Sequence, residues 1–257
     1  MYRQLALIFS RLAVPAVLLF TGMSAFGTGE EYRMKIAYNG SIIGSNHVRI
    51  THRPGGEADY IVKINAVMPI LFLTFTLDRT SYFTLDKKHM LVTYSNVSRT
   101  TFPGYEYDMY ATNFGSNVVI HIIRGTSTET RVVNADAYDY LTGGRYADKI
   151  GPERTNATLR FLDLDSIDVY PADFSFVTNY TKFIGGKKEE IYELSMRSGF
   201  LSQRVTVMTR VDIPILLELY LPFIGWTRTE LTGTTIADSL MPVLPASAGK
   251  DADRVQH

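Results

Sequence analysis

The five histidines, His47, His52, His89, His121 and His257, are the side chains of this sequence best suited to proton transfer or metal ligation near neutral pH. They fall on different predicted elements, no two share a zinc-site spacing, and the chain contains no cysteine, so no transition-metal site is expected. His121 lies among isoleucines and reads as a packed or surface histidine, not a catalytic base. Asp163, Asp165 and Asp168 suggest calcium only superficially, because the run lacks the glycine and the distal glutamate of a helix-loop-helix site. Strand alternation accounts for them instead, with Leu162 and Leu164 facing in and the carboxylates facing out. No Gly-x-Ser-x-Gly elbow presents a serine nucleophile. Phosphate-cradling glycine loops are absent too, and Gly143-Gly144-Arg145 and Gly185-Gly186-Lys187-Lys188 read as turns. A glycosidase acid pair has no fixed spacing, and nothing selects one among the 26 acidic side chains. The expectation is therefore a protein with no catalytic residues, no metal and no cofactor.

Aromatic and apolar residues offer binding chemistry. There are 16 tyrosines, 14 phenylalanines and one tryptophan, with Tyr105, Tyr107 and Tyr110 clustered beside Met109. Packing across strands explains such side chains, and a sugar-binding or lipid-binding platform is the alternative. Two segments are apolar on both sides. Val118, Ile120 and Ile122 oppose Val119, His121 and Ile123, while Ile215, Leu217, Leu219 and Leu221 oppose Leu216 and Tyr220. In a single-layer sheet one of those faces must be covered by another layer, a partner or an apolar ligand. The candidate ligand-lining residues are Leu71, Leu73, Phe75, Ile215, Leu217 and Leu219, with Trp226 near a rim; plain core is the competing assignment.

The elements that would position them are strands. From Tyr32 the period is two, Tyr32, Met34, Ile36 and Tyr38 sharing one face. Asn39-Gly40 follows as a hairpin turn whose residues must tolerate positive φ. A return strand runs over 42–51, and Pro54-Gly55-Gly56 turns the chain into a third strand through Tyr60, Val62, Ile64 and Ala66. Further strands are predicted at 71–77, 81–85, 90–97, 105–112, 118–124, 159–164, 174–180, 190–196, 204–211, 215–221 and 226–232. Between 134 and 158 the periodicity fails, and a long connection with at most one or two short helical turns is expected. About a dozen short strands argue an all-β, mainly antiparallel fold: one large curled sheet, a half-barrel or barrel.

Charge and the N-terminus bound the setting. Arg3 and Arg11 precede the apolar run 12–20, and Ala25-Phe26-Gly27 offers small residues to a signal peptidase, so residues 1–27 are expected to be a cleaved export signal. That run is too short to span a bilayer, which takes ~20 residues; no transmembrane segment is expected after processing. Residues 28–241 then form a single antiparallel β domain and 242–257 a disordered tail. The 26 basic and 26 acidic side chains balance, and losing the two leader arginines leaves a small negative charge. That excludes an electrostatic footprint for nucleic acid.

Three passages carry a resemblance: Tyr38-Asn39-Gly40-Ser41-Ile42-Ile43-Gly44, Leu77-Asp78-Arg79-Thr80-Ser81-Tyr82-Phe83, and residues 214–231, which read PILLELYLPFIGWTRTEL. Together they resemble a group of uncharacterised exported bacterial β-proteins, in which a Tyr-x-Gly-x-x-x-Gly hairpin opens the domain and a Pro-strand-Gly-strand-Glu-Leu element closes it. That group is similar in architecture to the periplasmic lipoprotein carriers, whose half-barrels have an apolar concave face. The resemblance implies Gly40, Gly44 and Gly225 as turn or bulge positions and supplies no catalytic residue. The helices that cover the carriers' concave face have no counterpart in the periodicity here. The expected function is that of a periplasmic or otherwise exported, non-catalytic envelope protein binding or shielding a lipid, an acyl chain or another apolar molecule. The alternatives are an assembly protein whose apolar face is covered by an envelope partner chain, and an enzyme acting on envelope glycans.

Overall fold

The computed structural model describes residues 29–234 apart from 71–72, 89, 102–105, 140–149, 165–166, 185–186, 199–200, 209–213 and 222–224. The expected leader and tail lie outside the described residues. Fourteen strands follow in order: β1 Glu30–Tyr38, β2 Ser41–His52, β3 Ala58–Ile70, β4 Leu73–Leu85, β5 Leu91–Thr100, β6 Tyr107–Asn113, β7 Asn117–Arg124, β8 Ser127–Asn134, β9 Asn156–Asp163, β10 Asp168–Ile184, β11 Lys187–Ser198, β12 Leu201–Met208, β13 Leu216–Leu221 and β14 Gly225–Thr234. The connection from β8 to β9 contains a 3-10 turn at Ala135–Ala137 and a helical turn at 150–153. All fourteen strands join one sheet, ordered β8-β7-β6-β5-β4-β3-β2-β1-β14-β13-β12-β11-β10-β9. Every pairing is antiparallel, and consecutive strands pair throughout except β8 and β9, which form the two edges, while the first and last strands, β1 and β14, pair in the middle of the sheet. Among the described residues no pairing joins β8 to β9, so the sheet is curled but not closed.

Local chemistry explains the joints. Asn39 and Gly40 both adopt positive φ, 47° and 77°, as the tight β1–β2 turn requires. The strands expected at 71–77 and 81–85 are, over the described residues 73–85, a single strand, because Asp78, Arg79 and Thr80 continue the pairing with β3 in register. Strand β8, Ser-Thr-Glu-Thr-Arg-Val-Val-Asn, was not expected: it is an edge strand with polar residues on both faces, so the two-residue hydrophobic period that marks half-buried strands is missing.

One face of the sheet is the inside. Tyr32, Met34, Val48, Ile50, Tyr60, Val62, Ile64, Phe83, Met109, Ile120 and Leu231 form the larger core cluster, and alternation continues the same face through Leu217, Val205, Leu194 and Phe174 into the smaller one. The helical turn covers the latter: Ile150 is buried in it, and Gly151 lies so close to Tyr192 that a Cβ there would sit 2.9 Å from Tyr192 Cγ. Leu162, Ile191 and Met208, of opposite parity, are also buried, and they belong to the larger cluster. Strands β9, β11 and β12 thus bury apolar residues on both faces, and those of the second face join the larger cluster. This corrects the expectation for Asp163: it is 2% exposed, not outward-facing, because both faces of β9 are covered at that point. Leu162 and Leu164 are buried, but on the face of β9 opposite Phe161, while Asp168 is exposed and Asp165 lies outside the described residues.

The free edge of β9 is capped by the connection. Asp139 N donates to Arg160 O at 2.8 Å, and its carboxylate accepts from Arg160 N at 2.7 Å and from Nη2 at 2.8 Å, so one residue imitates a neighbouring strand. These Arg160 hydrogen bonds hold the Asp139 carboxyl below its ordinary value of 3.8. A depressed folded-state pKa stabilises the fold above the unfolded value and stops doing so as pH falls through the folded one. Asp139→Asn should therefore lower stability near pH 6 by no more than about 1 kcal/mol, the pair being partly solvated. The gap between wild type and variant should shrink as the pH is taken below 3.8, read from urea midpoints at pH 6 and pH 2.5; a gap independent of pH would refute the ionic part of the cap.

Candidate functional site: a groove on the outer face

The outward residues of β3–β6 build a groove from two cross-strand rows. Register places Ile61, Tyr82, Ser95 and Tyr110 side by side in one row, and Asp59, Thr84, Thr93 and Thr112 in the next. These eight, with the backbone between them, line a cavity of about 500 Å³ open to solvent. Tyr82 and Tyr110 are 46% and 48% exposed, and the small Ser95 between them leaves a slot. Two strand spacings separate their backbones, roughly 9.5 Å. The floor is held from beneath: Tyr60 and Phe83 point inward and stack at 4.7 Å with rings 4° apart, and Phe83 contacts Tyr94 at 6.2 Å. At the groove's end Asp59 is fixed by Thr84 Oγ1, which donates at 2.7 Å, and by Arg53 Nε at 2.6 Å. The row continues past Tyr110 to His121, whose Nδ1 lies 3.0 Å from Thr130 Oγ1.

The interior also holds polar groups. Arg79, 4% exposed, donates from Nε to Asn96 Oδ1 at 2.9 Å and from Nη2 to the Tyr107 hydroxyl at 2.7 Å, while Ser81 Oγ donates to the same Asn96 oxygen at 3.0 Å. Such a buried network fixes the relative register of β4, β5 and β6. Burial pushes the Tyr138 phenol up to about 12, beyond use as an acid or base at neutral pH.

The sequence-derived candidates distribute as follows. Phe75, Ile215, Leu217 and Leu219 are buried in the core clusters. Trp226 lies on the outer face, 45% exposed, its ring 5.4 Å from Tyr220 and 5.5 Å from the Arg204 guanidinium. Leu73 opens β4, and Leu71 lies outside the described residues. Strand alternation splits the tyrosine cluster: Tyr107 and Met109 face in, Tyr110 faces out. His47 approaches Glu31 at 3.6 Å and His52 approaches Glu30 at 3.8 Å; His89 and His257 lie outside the described residues. Among the described residues no group of three or more metal-binding side chains converges. On β7, Val118, Ile120 and Ile122 are core, while Val119 and Ile123 are half-buried on the outside. Sequence reasoning missed Tyr82, Ser95 and Asp59, because their adjacency depends on the pairing register of four strands. The available signal was the outward parity of Tyr82 and Tyr110.

No family model matches this sequence, and no curated protein matches it. Among solved structures the fold is similar to that of a β-barrel-like protein of a domain of unknown function, DUF1849, from Brucella abortus. The TM-score is 0.61 at 8% sequence identity, over 82% of this chain and 98% of that one. At that identity the likeness is one of fold, and it accords with the resemblance to uncharacterised bacterial β-proteins.

Proposed function

We propose that this chain is a non-catalytic binding protein of the bacterial cell envelope, exported and freed of residues 1–27, and that it holds a lipid or another envelope molecule with an apolar surface between Tyr82 and Tyr110. The observation that carries this reading is the groove itself: an open space of about 500 Å³ lined by Tyr82 and Tyr110, within the size range of small-molecule sites. Among the described residues the inner face packs into the core clusters, Leu217 and Leu219 being 2% and 3% exposed, which favours the outer face as the binding surface. The groups facing the groove are neutral hydroxyls and a carboxylate already engaged by Arg53 and Thr84, an arrangement that suits retention better than proton transfer. Native mass spectrometry of protein purified from the periplasmic fraction tests both halves of the proposal. The polypeptide mass should lack residues 1–27, and the folded protein should carry a small molecule that Tyr82→Ala and Tyr110→Ala lose. An intact leader, or an adduct unchanged in both variants, would count against export or against the groove respectively.

A further inference from the structure

Resting on the reading of the groove as a binding site, we infer that its occupant is an uncharged sugar ring, as found in a glycan or the carbohydrate part of a glycolipid, and not an acyl chain. Three features of the groove converge on that class. First, Tyr82 and Tyr110, both lining the groove and about half exposed, flank Ser95 in one cross-strand row. Backbones roughly 9.5 Å apart leave room for one flat ring making van der Waals contact at about 3.5–4 Å on each side. A pyranose presents two C–H faces of that shape; a flexible chain would have to be ordered along the slot to fill it, at an entropic cost.

Second, apart from Ile61 the other outward side chains of the two rows are polar. Thr93, Ser95 and Thr112 bring hydroxyls that both donate and accept, and Asp59 brings acceptors, while Thr84 has given its proton to Asp59. Against an acyl chain these groups would lose water and gain nothing, whereas the hydroxyls around a sugar ring can replace that water bond for bond. Asp59 is already oriented by Thr84 at 2.7 Å and Arg53 at 2.6 Å, and a carboxylate can accept more than two hydrogen bonds.

Third, the charges balance. Asp59 is paired with Arg53, and beyond Ile61 in the same row Arg49 is paired with Glu31. With its charges paired, the groove carries no excess cation to select a phosphate or carboxylate head, and its specificity must come from shape and hydroxyl matching.

The test titrates isotope-labelled full-length mature protein with cellotriose, maltotriose and the chitin trisaccharide, and separately with decylphosphocholine below its micelle concentration. The NMR signals of the Tyr82 and Tyr110 rings and of the Ser95 amide are followed. At least one trisaccharide should shift these signals saturably. Tyr110→Ala should weaken that binding at least tenfold, and Ser95→Trp, which fills the slot while leaving both walls in place, should abolish it with unchanged urea midpoints. If decylphosphocholine moves the groove signals and no trisaccharide does, the sugar assignment is wrong while the groove remains a binding site. If neither class moves them, both readings fall together.

Discussion

Leu217→Ala is expected to remove ~2–5 kcal/mol of stability, the range for deleting a buried leucine whose site cannot collapse. Leu217 is 2% exposed and is held between Val205 on β12 and Thr229 on β14, its direct cross-strand neighbours. Both strands are fixed by further pairing, so the space left by the missing methyl groups stays open. Guanidinium midpoints at unchanged slope give the number. A loss below about 1 kcal/mol would mean that Leu217 borders an existing void, which would return the binding site to the inside of the sheet.

Gly44→Ala should be comparably damaging, for a different reason. A Cβ at Gly44 would lie 2.2 Å from Asn65 O and 2.7 Å from Ala66 Cα. Those atoms belong to the backbone of β3, so no side chain can swing away. The position lies at the bulge where the β1–β2 register shifts between Ile36 and Ala37, and the glycine there lets β3 come close. Overpacking costs typically ~1–3 kcal/mol, and the loss here should lie at or above the top of that range because two strands must part. Gly40→Ala is the internal comparison. Its φ is +77°, yet nothing lies within 4 Å of the added carbon, so only the left-handed penalty of roughly 1–2 kcal/mol applies. Thermal or urea unfolding of the two variants side by side should rank Gly44→Ala clearly below Gly40→Ala; the opposite order would refute the close-approach argument.

These two glycines show what is legible in the amino-acid sequence. The resemblance marked Gly40 and Gly44 together as turn or bulge positions, but only the β2–β3 contact distinguishes a tight turn from a backbone collision. Most strands were readable because one face is buried and the other wet, as in Tyr32, Met34 and Ile36 against Arg33, Lys35 and Ala37. The signal failed where that asymmetry fails. Strand β8 is polar on both faces at an edge, and Asp163 sits where both faces of β9 are buried. The candidate site was harder still. Tyr82, Ser95 and Tyr110 come from three strands, and their adjacency exists only in the register that aligns Tyr82 with Ser95 and Ser95 with Tyr110. A slip of one residue would have turned those side chains inward.

The most direct test of the central claim, that binding belongs to the outer groove and stability to the interior, is the amount of small molecule retained per mole of folded protein in the wild type, Tyr110→Ala and Leu217→Ala, each with its urea midpoint. The account predicts that Tyr110→Ala loses the bound molecule at a nearly unchanged midpoint, while Leu217→Ala keeps it in the folded fraction at a much lower midpoint. Retention that survives Tyr110→Ala and disappears in folded Leu217→Ala would contradict the account and place the ligand inside the sheet.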